Sequence, residues 1–198
     1  MVGSGVNKKG FTLIELIAVT GVMVILSTIL LANYNRFGGA ITLRNIVYDV
    51  ALSIREAQTY GISVRKFGEG AGQFSAGYGM HFEKTSPTQY ILFADAVQPS
   101  NGLYDAGESV DLLTMRGGYF IYDMCGTSPG SSVDECLLDE LDVTFKRPDP
   151  DAYIRGILNS TVSLYEKACI TIESPRGDRL AVVVWLTGQI SIQKTCTS

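Results

Sequence analysis

The chain has 198 residues, of which 16 are Lys or Arg, 20 are Asp or Glu and one is His, so its formal net charge is −4. This acidic balance argues against a strongly basic nucleic-acid-binding surface. A single histidine, with no nucleophile set beside it, offers no support for a His-assisted catalytic triad. We therefore expect a protein that is not an enzyme.

The first predicted element is a membrane-spanning helix near the N-terminus. The segment Phe11–Tyr34 carries one charged residue, Glu15. As a helix it would be about 36 Å long, enough to cross a hydrocarbon core of roughly 30 Å with some tilt. Lys8 and Lys9 precede the segment, whereas only Arg36 follows it closely. We therefore expect the N-terminus on the cytoplasmic side and the rest of the chain exported.

Glu15 needs a positively charged partner within the membrane. An ionised carboxylate near the bilayer centre costs on the order of 3 kcal/mol, so an acid in this position is a hypothesis for a functional site. The sequence has no Lys or Arg between Phe11 and Asn35. A free α-amino group would become available if the chain were cleaved between Gly10 and Phe11.

The block Lys8–Leu16 reads K-K-G-F-T-L-I-E-L and resembles the processing site of type IV prepilins. This superfamily includes the type II secretion pseudopilins, and the resemblance implies that residues 1–10 form a leader peptide. It also implies a prepilin peptidase that cleaves after Gly10 on the cytoplasmic side and N-methylates Phe11. Glu15 would then pair with the Phe11 amine of a neighbouring subunit during filament assembly. The alternative is an ordinary signal anchor in which Glu15 is incidental.

The helical period continues beyond the membrane segment and predicts one helix over residues 11–66, with a membrane-spanning half and an amphipathic half. Gly38-Gly39 would interrupt it where the chain leaves the membrane, since each glycine costs about 1 kcal/mol in a helix interior. Apolar residues of the second half recur every three or four positions and should pack on the globular part. They are Leu43, Ile46 or Val47, Val50, Ile54, Ala57, Gly61 and Val64.

Residues 67–198 show a period of two and predict a β-rich head domain. About 130 residues are ample for one compact domain and too few for two. Runs rich in Val, Ile, Phe and Tyr alternate with Gly, Pro, Ser and Asp. The predicted strands are Tyr78–Glu83, Gln89–Ala94, Val110–Met115, Tyr119–Tyr122, Val143–Lys146, Cys169–Glu173, Leu180–Leu186 and Gln189–Lys194. The predicted fold class is therefore α+β, a long N-terminal helix packed on an antiparallel β-sheet head domain.

The head domain resembles the GspH/FimT branch of minor pilins and pseudopilins. In that branch a strand pair, here Tyr78–Phe82 and Tyr90–Asp95, precedes an acidic glycine loop, here Asn101–Glu108. The resemblance implies a structural subunit near the tip of a type IV pilus or type II secretion pseudopilus, acting in filament assembly and protein secretion. Its partners would be other pilins or pseudopilins in a helical filament. Before assembly it would be a single-pass protein of the bacterial inner membrane, with its head in the periplasm or outside the cell.

Two alternative functions stay open. Some FimT-like minor pilins bind DNA for its uptake, and this chain has a candidate basic patch although its terminal strands lack a dense arginine cluster. The candidate residues are Lys146, Arg147, Arg155, Arg176 and Arg179. The other alternative is the major repeating subunit, which abundance in sheared filaments would reveal.

The four cysteines, Cys125, Cys136, Cys169 and Cys196, all fall in the exported domain. An even number facing an oxidising compartment predicts disulfides, for which three pairings exist. We favour Cys125–Cys136, which clamps the intervening loop, together with Cys169–Cys196, which ties the C-terminus to a strand. Free buried thiols are the main alternative. A zinc site is disfavoured because the sequence has no CxxC pair.

The loop after the second predicted strand carries oxygen ligands interleaved with glycines. Asp95, Asn101, Asp105 and Glu108 could surround a calcium ion, although their spacing is not that of an EF-hand. The alternative is a solvated acidic loop without a metal. We expect no other cofactor, and we expect His81 to be structural.

Overall fold

The computed structural model describes residues 10–63, 65–68, 76–97 and 100–196, with residues 32–38 described by their backbone alone. The protein is α+β, and its described residues form one long helix and antiparallel sheets. Residue contacts divide the chain into two compact units, residues 1–40 and residues 41–198. The predicted leader lies outside the described residues except for Gly10.

Helix α1 spans Leu13–Ile62, so it begins two residues later and ends four residues earlier than predicted. Its backbone is helical at Gly38 and Gly39, and the predicted interruption there is wrong. The reason is cooperativity: once a helix is nucleated, two glycines at about 1 kcal/mol each do not stop its propagation.

The first unit contains the apolar part of α1. Leu13–Leu31 has a mean hydropathy of 2.4, and none of it is buried. Among the described residues it is the one helical segment whose length and composition allow it to span a membrane.

Eleven strands follow in the described part of the chain. They are β1 (Gly77–Glu83), β2 (Gln89–Asp95), β3 (Ser109–Thr114), β4 (Phe120–Thr127), β5 (Asp134–Glu135), β6 (Glu140–Phe145), β7 (Ala152–Leu158), β8 (Thr161–Tyr165), β9 (Lys167–Glu173), β10 (Arg179–Trp185) and β11 (Ile190–Gln193). Six of them form an antiparallel sheet in the order β3-β2-β1-β6-β7-β8. The other five form an antiparallel sheet in the order β11-β10-β9-β4-β5.

The eight predicted strands are all present, with ends shifted by up to five residues. The sequence patterns did not predict β5, β7 and β8. Strand β7 contains Gly156, and an internal glycine weakens a strand signal. The fold requires that glycine, because a Cβ atom at Gly156 would lie 2.7 Å from the Tyr165 ring and 2.8 Å from a methyl group of Leu138.

The amphipathic half of α1 packs into the core of the second unit. Its predicted stripe is confirmed, since Leu43, Val47, Val50, Ile54 and Ala57 are at most 3% exposed; Val64 lies outside the described residues. These side chains share one hydrophobic cluster with residues of both sheets, among them Met80, Phe82, Val143, Phe145, Ile170 and Val182. Burial of such side chains contributes about 1.5–3 kcal/mol each, so this core holds the helix and both sheets together.

Candidate functional site

The residues around the predicted cleavage bond are exposed and non-helical. Gly10, Phe11 and Thr12 have no regular secondary structure, and α1 begins at Leu13. The Phe11 side chain is 81% exposed. Proteolytic cleavage concentrates in exposed backbone of this kind, so the geometry permits a peptidase to reach the bond between Gly10 and Phe11.

Thr12 and Glu15 form a capping box at the first turn of α1. The backbone N–H and the hydroxyl of Thr12 donate to Glu15 Oε2 over 3.5 and 3.4 Å, and the Glu15 backbone N–H donates to Thr12 Oγ1 over 3.4 Å. These bonds satisfy amide groups that the start of a helix leaves unpaired. Our sequence interpretation missed this second role of Glu15, although the T-x-x-E spacing signals it.

The carboxylate of Glu15 retains capacity for another donor. Both Thr12 donors meet the same oxygen, Oε2. Among the described residues, the other oxygen, Oε1, has no hydrogen-bond partner and Glu15 forms no ion pair. The site can therefore accept an ammonium group without losing the capping box.

The apolar side chains of the Leu13–Leu31 segment project from every side of the helix. Five consecutive residues, Val22–Leu26, are each more than half exposed, so the apolar surface faces every direction around the helix. A helix that is hydrophobic all round belongs in a membrane or in a protein core. The surface of this segment is therefore compatible with a membrane-spanning helix.

The structure contains the two disulfides that the sequence favours, Cys125–Cys136 and Cys169–Cys196. Cys125 and Cys169 lie opposite each other on the paired strands β4 and β9. They form a small apolar cluster with Ala181 and Val183 of β10. The alternate β10 residues belong to the main core, so the disulfides cover the other face of the five-stranded sheet.

The buried acids of the glycine loop are bound by the loop itself. Asp95 accepts hydrogen bonds from the hydroxyl of Ser100 and from the backbone N–H groups of Asn101 and Gly102, over 2.9, 3.1 and 3.0 Å. Charge-assisted bonds of this kind are about twice as strong as neutral ones. They close the loop onto the end of β2.

Glu108 holds the other end of the loop in the same way as Asp95, and its side chain is fully buried. Its carboxylate accepts from the backbone N–H groups of Ala96, Val97 and Asp105 over 2.9, 2.7 and 3.0 Å. The loop therefore holds its two buried acids without a cation.

The predicted calcium ligands do not form a compact group among the described residues. In the described residues, two groups of His, Cys, Asp or Glu have ligand atoms within 4.8 Å of one another, and neither contains Asp95, Asp105 or Glu108. The fourth predicted ligand, Asn101, donates instead to Asp105 over 2.9 Å. Asp95 and Glu108 accept hydrogen bonds from backbone N–H groups. A sequence pattern does not reveal these backbone partners.

One of the two groups combines His81, Glu140 and Asp142, and it lies on β1 and β6. His81 Nδ1 is 2.8 Å from Asp142 Oδ1, and both side chains are buried. The Tyr104 ring packs against His81 with 4.8 Å between ring centroids. Burial acts to lower the pKa of His81, but the hydrogen bond and charge of Asp142 outweigh it, so the pKa is raised. Burial also raises the pKa of Asp142. His81 and Asp142 therefore form a buried hydrogen-bonded pair that joins β1 to β6.

The other group contains Asp123, Cys125 and Cys136. Both sulfurs are joined in a disulfide, so neither is a thiolate that could bind a metal. Asp123 instead accepts hydrogen bonds from the backbone N–H groups of Met124 and Leu137.

The basic residues of the candidate DNA-binding patch do not all line the same cavity. Lys146 and Arg155 line a cavity of about 220 Å³, together with Asp95, Ser100, Thr144 and Tyr153 among others, which we call the cationic cavity. Arg179 lies outside its lining, pairs with Glu173 and stacks on the Tyr122 ring at 3.4 Å.

Comparison of the chain with protein-family models, with curated proteins and with solved structures finds no match.

Proposed function

We propose that this chain is a structural, non-enzymatic subunit of a bacterial filament, a minor pilin of a type IV pilus or a pseudopilin of a type II secretion system. It would lie near the filament tip and act in filament assembly and protein secretion. The proposal is supported by three features that occur together at the start of α1. A helix that is apolar on all sides begins two residues after the Gly10–Phe11 bond, and its first turn holds the only acid of the segment, Glu15.

The first step is removal of the leader. Cleavage by a prepilin peptidase after Gly10 would make Phe11 the new N-terminus, which would then be N-methylated. Because the bond lies in exposed, non-helical backbone, the peptidase would not have to unwind α1. The capping box would survive, since its donors come from Thr12 and not from the leader.

The second step is charge pairing between subunits. In the membrane, both the Phe11 ammonium group and the Glu15 carboxylate would need a partner of opposite charge. Thr12 of the same chain occupies Oε2, which leaves Oε1 for the amine of a neighbour. Since Glu15 lies roughly 6 Å along the axis from Phe11, two adjacent helices would be offset by about that distance. The same contact would cover part of the apolar surface of both helices.

The proposal includes a location. Before assembly, Leu13–Leu31 would hold the chain in the bacterial inner membrane, and Lys8 and Lys9 would keep the N-terminus in the cytoplasm. The head would then lie in the periplasm or outside the cell. The two disulfides fit such an oxidising compartment.

Mass spectrometry of the N-terminus tests the processing step. We expect a chain that begins at N-methylated Phe11 in the native host. An intact N-terminus at Met1 in assembled or membrane-bound protein would overturn the proposal.

Substitution of Glu15 tests the charge pair. Glu15→Gln removes the charge but keeps a residue that serves the capping box equally well. We expect this variant to be inserted and processed but to enter filaments poorly. Thr12→Ala is the matched control, because it weakens the cap, keeps the charge and should still assemble. Normal incorporation of Glu15→Gln would show that Glu15 is only a capping residue.

A DNA-binding minor pilin is the second candidate, and the shared cavity of Lys146 and Arg155 is the observation that favours it. Phosphate contacts weaken steeply with salt, so a salt-dependent gel shift with the full-length protein would identify this function. Dominance of the chain in sheared filaments would instead identify the major subunit.

A further inference from the structure

The cationic cavity brings two unpaired positive charges together in an acidic protein. Lys146 follows the end of β6, and Arg155 lies on the neighbouring strand β7. Within the described part of the chain, neither side chain belongs to an ion pair. The one carboxylate in the cavity lining, Asp95, forms no ion pair with either group among the described residues. Two like charges that face one cavity repel each other, so an added anion would lower that repulsion.

The acids near Arg155 are already committed elsewhere. Asp142 lies opposite Arg155 in the register of β6 and β7, but its carboxylate pairs with His81. Asp95 lines the cavity, and its two oxygens accept three hydrogen bonds from Ser100, Asn101 and Gly102. Among the described residues, neither carboxylate forms an ion pair with the guanidinium.

The guanidinium of Arg155 is held in place by packing. A Cβ atom on Gly102 would lie 3.3 Å from Arg155 Nε, so the loop backbone packs directly over this side of the group. Nε itself is buried and has no hydrogen-bond partner. Packing thus positions the group in the lining that it shares with Lys146, and an arginine held in this way loses less freedom when it binds an oxyanion.

The charge and size of the cavity select the ligand. Lys146 and Arg155 against Asp95 leave one net positive charge, which matches a monoanion. A volume of about 220 Å³ accommodates a single small group. A planar guanidinium fork matches the geometry of a carboxylate and of a phosphate. One net positive charge favours the carboxylate, because a phosphate monoester carries a charge of about −1.5 to −2. A nucleic-acid strand would need a series of cations along its phosphates, whereas Arg179 is engaged with Glu173.

We propose that the cationic cavity binds the carboxylate of an Asp or Glu side chain presented by a partner protein. Lys146 and Arg155 hold the oxyanion, and Asp95, Ser100, Asn101 and Gly102 form part of the wall of the site. That the partner is a neighbouring subunit rests on the proposed function. The carboxylate chemistry of the site does not.

The test uses the full-length protein in a nonionic detergent and two peptides, acetyl-Gly-Glu-Gly-amide and its Gln counterpart. Ligand-observed NMR should detect saturable binding of the Glu peptide, with a Kd on the order of 1 mM, and at least about tenfold weaker binding of the Gln peptide. Arg155→Gln and Lys146→Gln should each weaken binding of the Glu peptide about tenfold. Arg179→Gln is the control and should leave it unchanged.

Equal binding of the two peptides, or an equal loss in Arg179→Gln, would overturn the proposal. The proposal would also be overturned if the protein bound no peptide but bound a single-stranded DNA oligomer, and if Lys146→Gln abolished that DNA binding. If Arg155→Gln fails to fold, the exposed Lys146 decides the outcome. The measurement needs no filament, so its failure leaves the filament proposal intact, and the N-terminal mass decides that proposal separately.

Discussion

Replacement of Asp142 by Asn should destabilise the head domain by an amount that depends on pH. Asp142 and His81 are both buried, 2.8 Å apart, and lie opposite each other on β6 and β1. Glu140 and Glu83 also face His81 and favour its charged form. The pKa of His81 is therefore raised above its usual value of about 6.5.

The sign of the effect follows from that direction. A histidine whose pKa is raised by folding contributes its full stabilisation below about pH 6.5 and loses it as the pH rises through the folded-state pKa. Each tenfold gain in proton affinity corresponds to about 1.4 kcal/mol. At pH 6, where a buried ion pair is broken, Asp142→Asn should cost about 3 kcal/mol. As the pH rises from 6 to 9 and His81 loses its proton, the cost should fall toward about 1 kcal/mol, the contribution of a neutral hydrogen bond.

Urea unfolding of the full-length protein in nonionic detergent measures these values. Trp185, the one tryptophan of the sequence, lies on β10 and reports unfolding of the head by fluorescence. Asp111→Asn, on the edge strand β3 with an exposed side chain, is the matched control and should change little at either pH. A cost of only about 1 kcal/mol for Asp142→Asn at both pH 6 and pH 9 would refute the reasoning, because His81 would then be neutral throughout.

Two further predictions concern the core and the disulfides, and both use the same unfolding assay. Ile54→Ala removes a fully buried side chain of α1 and should lower the free energy of unfolding by about 2–5 kcal/mol. Leu52→Ala is the control, because Leu52 is 59% exposed, and it should change that free energy by no more than about 0.5 kcal/mol. Similar losses in the two variants would contradict the described helix face. Replacement of both Cys169 and Cys196 by Ala opens a loop with a sequence separation of 27 and should cost about 3.6 kcal/mol by loop entropy, and an unchanged urea midpoint would contradict it.

Local patterns in the sequence predicted the long helix and eight of the eleven strands in the described part of the chain. Apolar positions such as Val50 and Ile54 recur with the helical period, and the structure buries that stripe. Alternation in segments such as Leu180–Leu186 predicted strands at the right places. The disulfide pairing could also be predicted from the sequence, because each favoured bond joins a cysteine to the next cysteine along the chain. These features depend on short-range periodicity and on chain proximity, which a sequence displays directly.

Tertiary structure decided the partner of each buried polar group. His81 and Asp142 are separated by 61 residues and meet because β1 and β6 pair in one register. The acids Asp95 and Glu108 accept hydrogen bonds from backbone amides of the loop that follows β2. A shift of one residue in strand pairing would turn each side chain to the other face of the sheet. That register is set by packing across the whole core, so no local segment of the sequence specifies it.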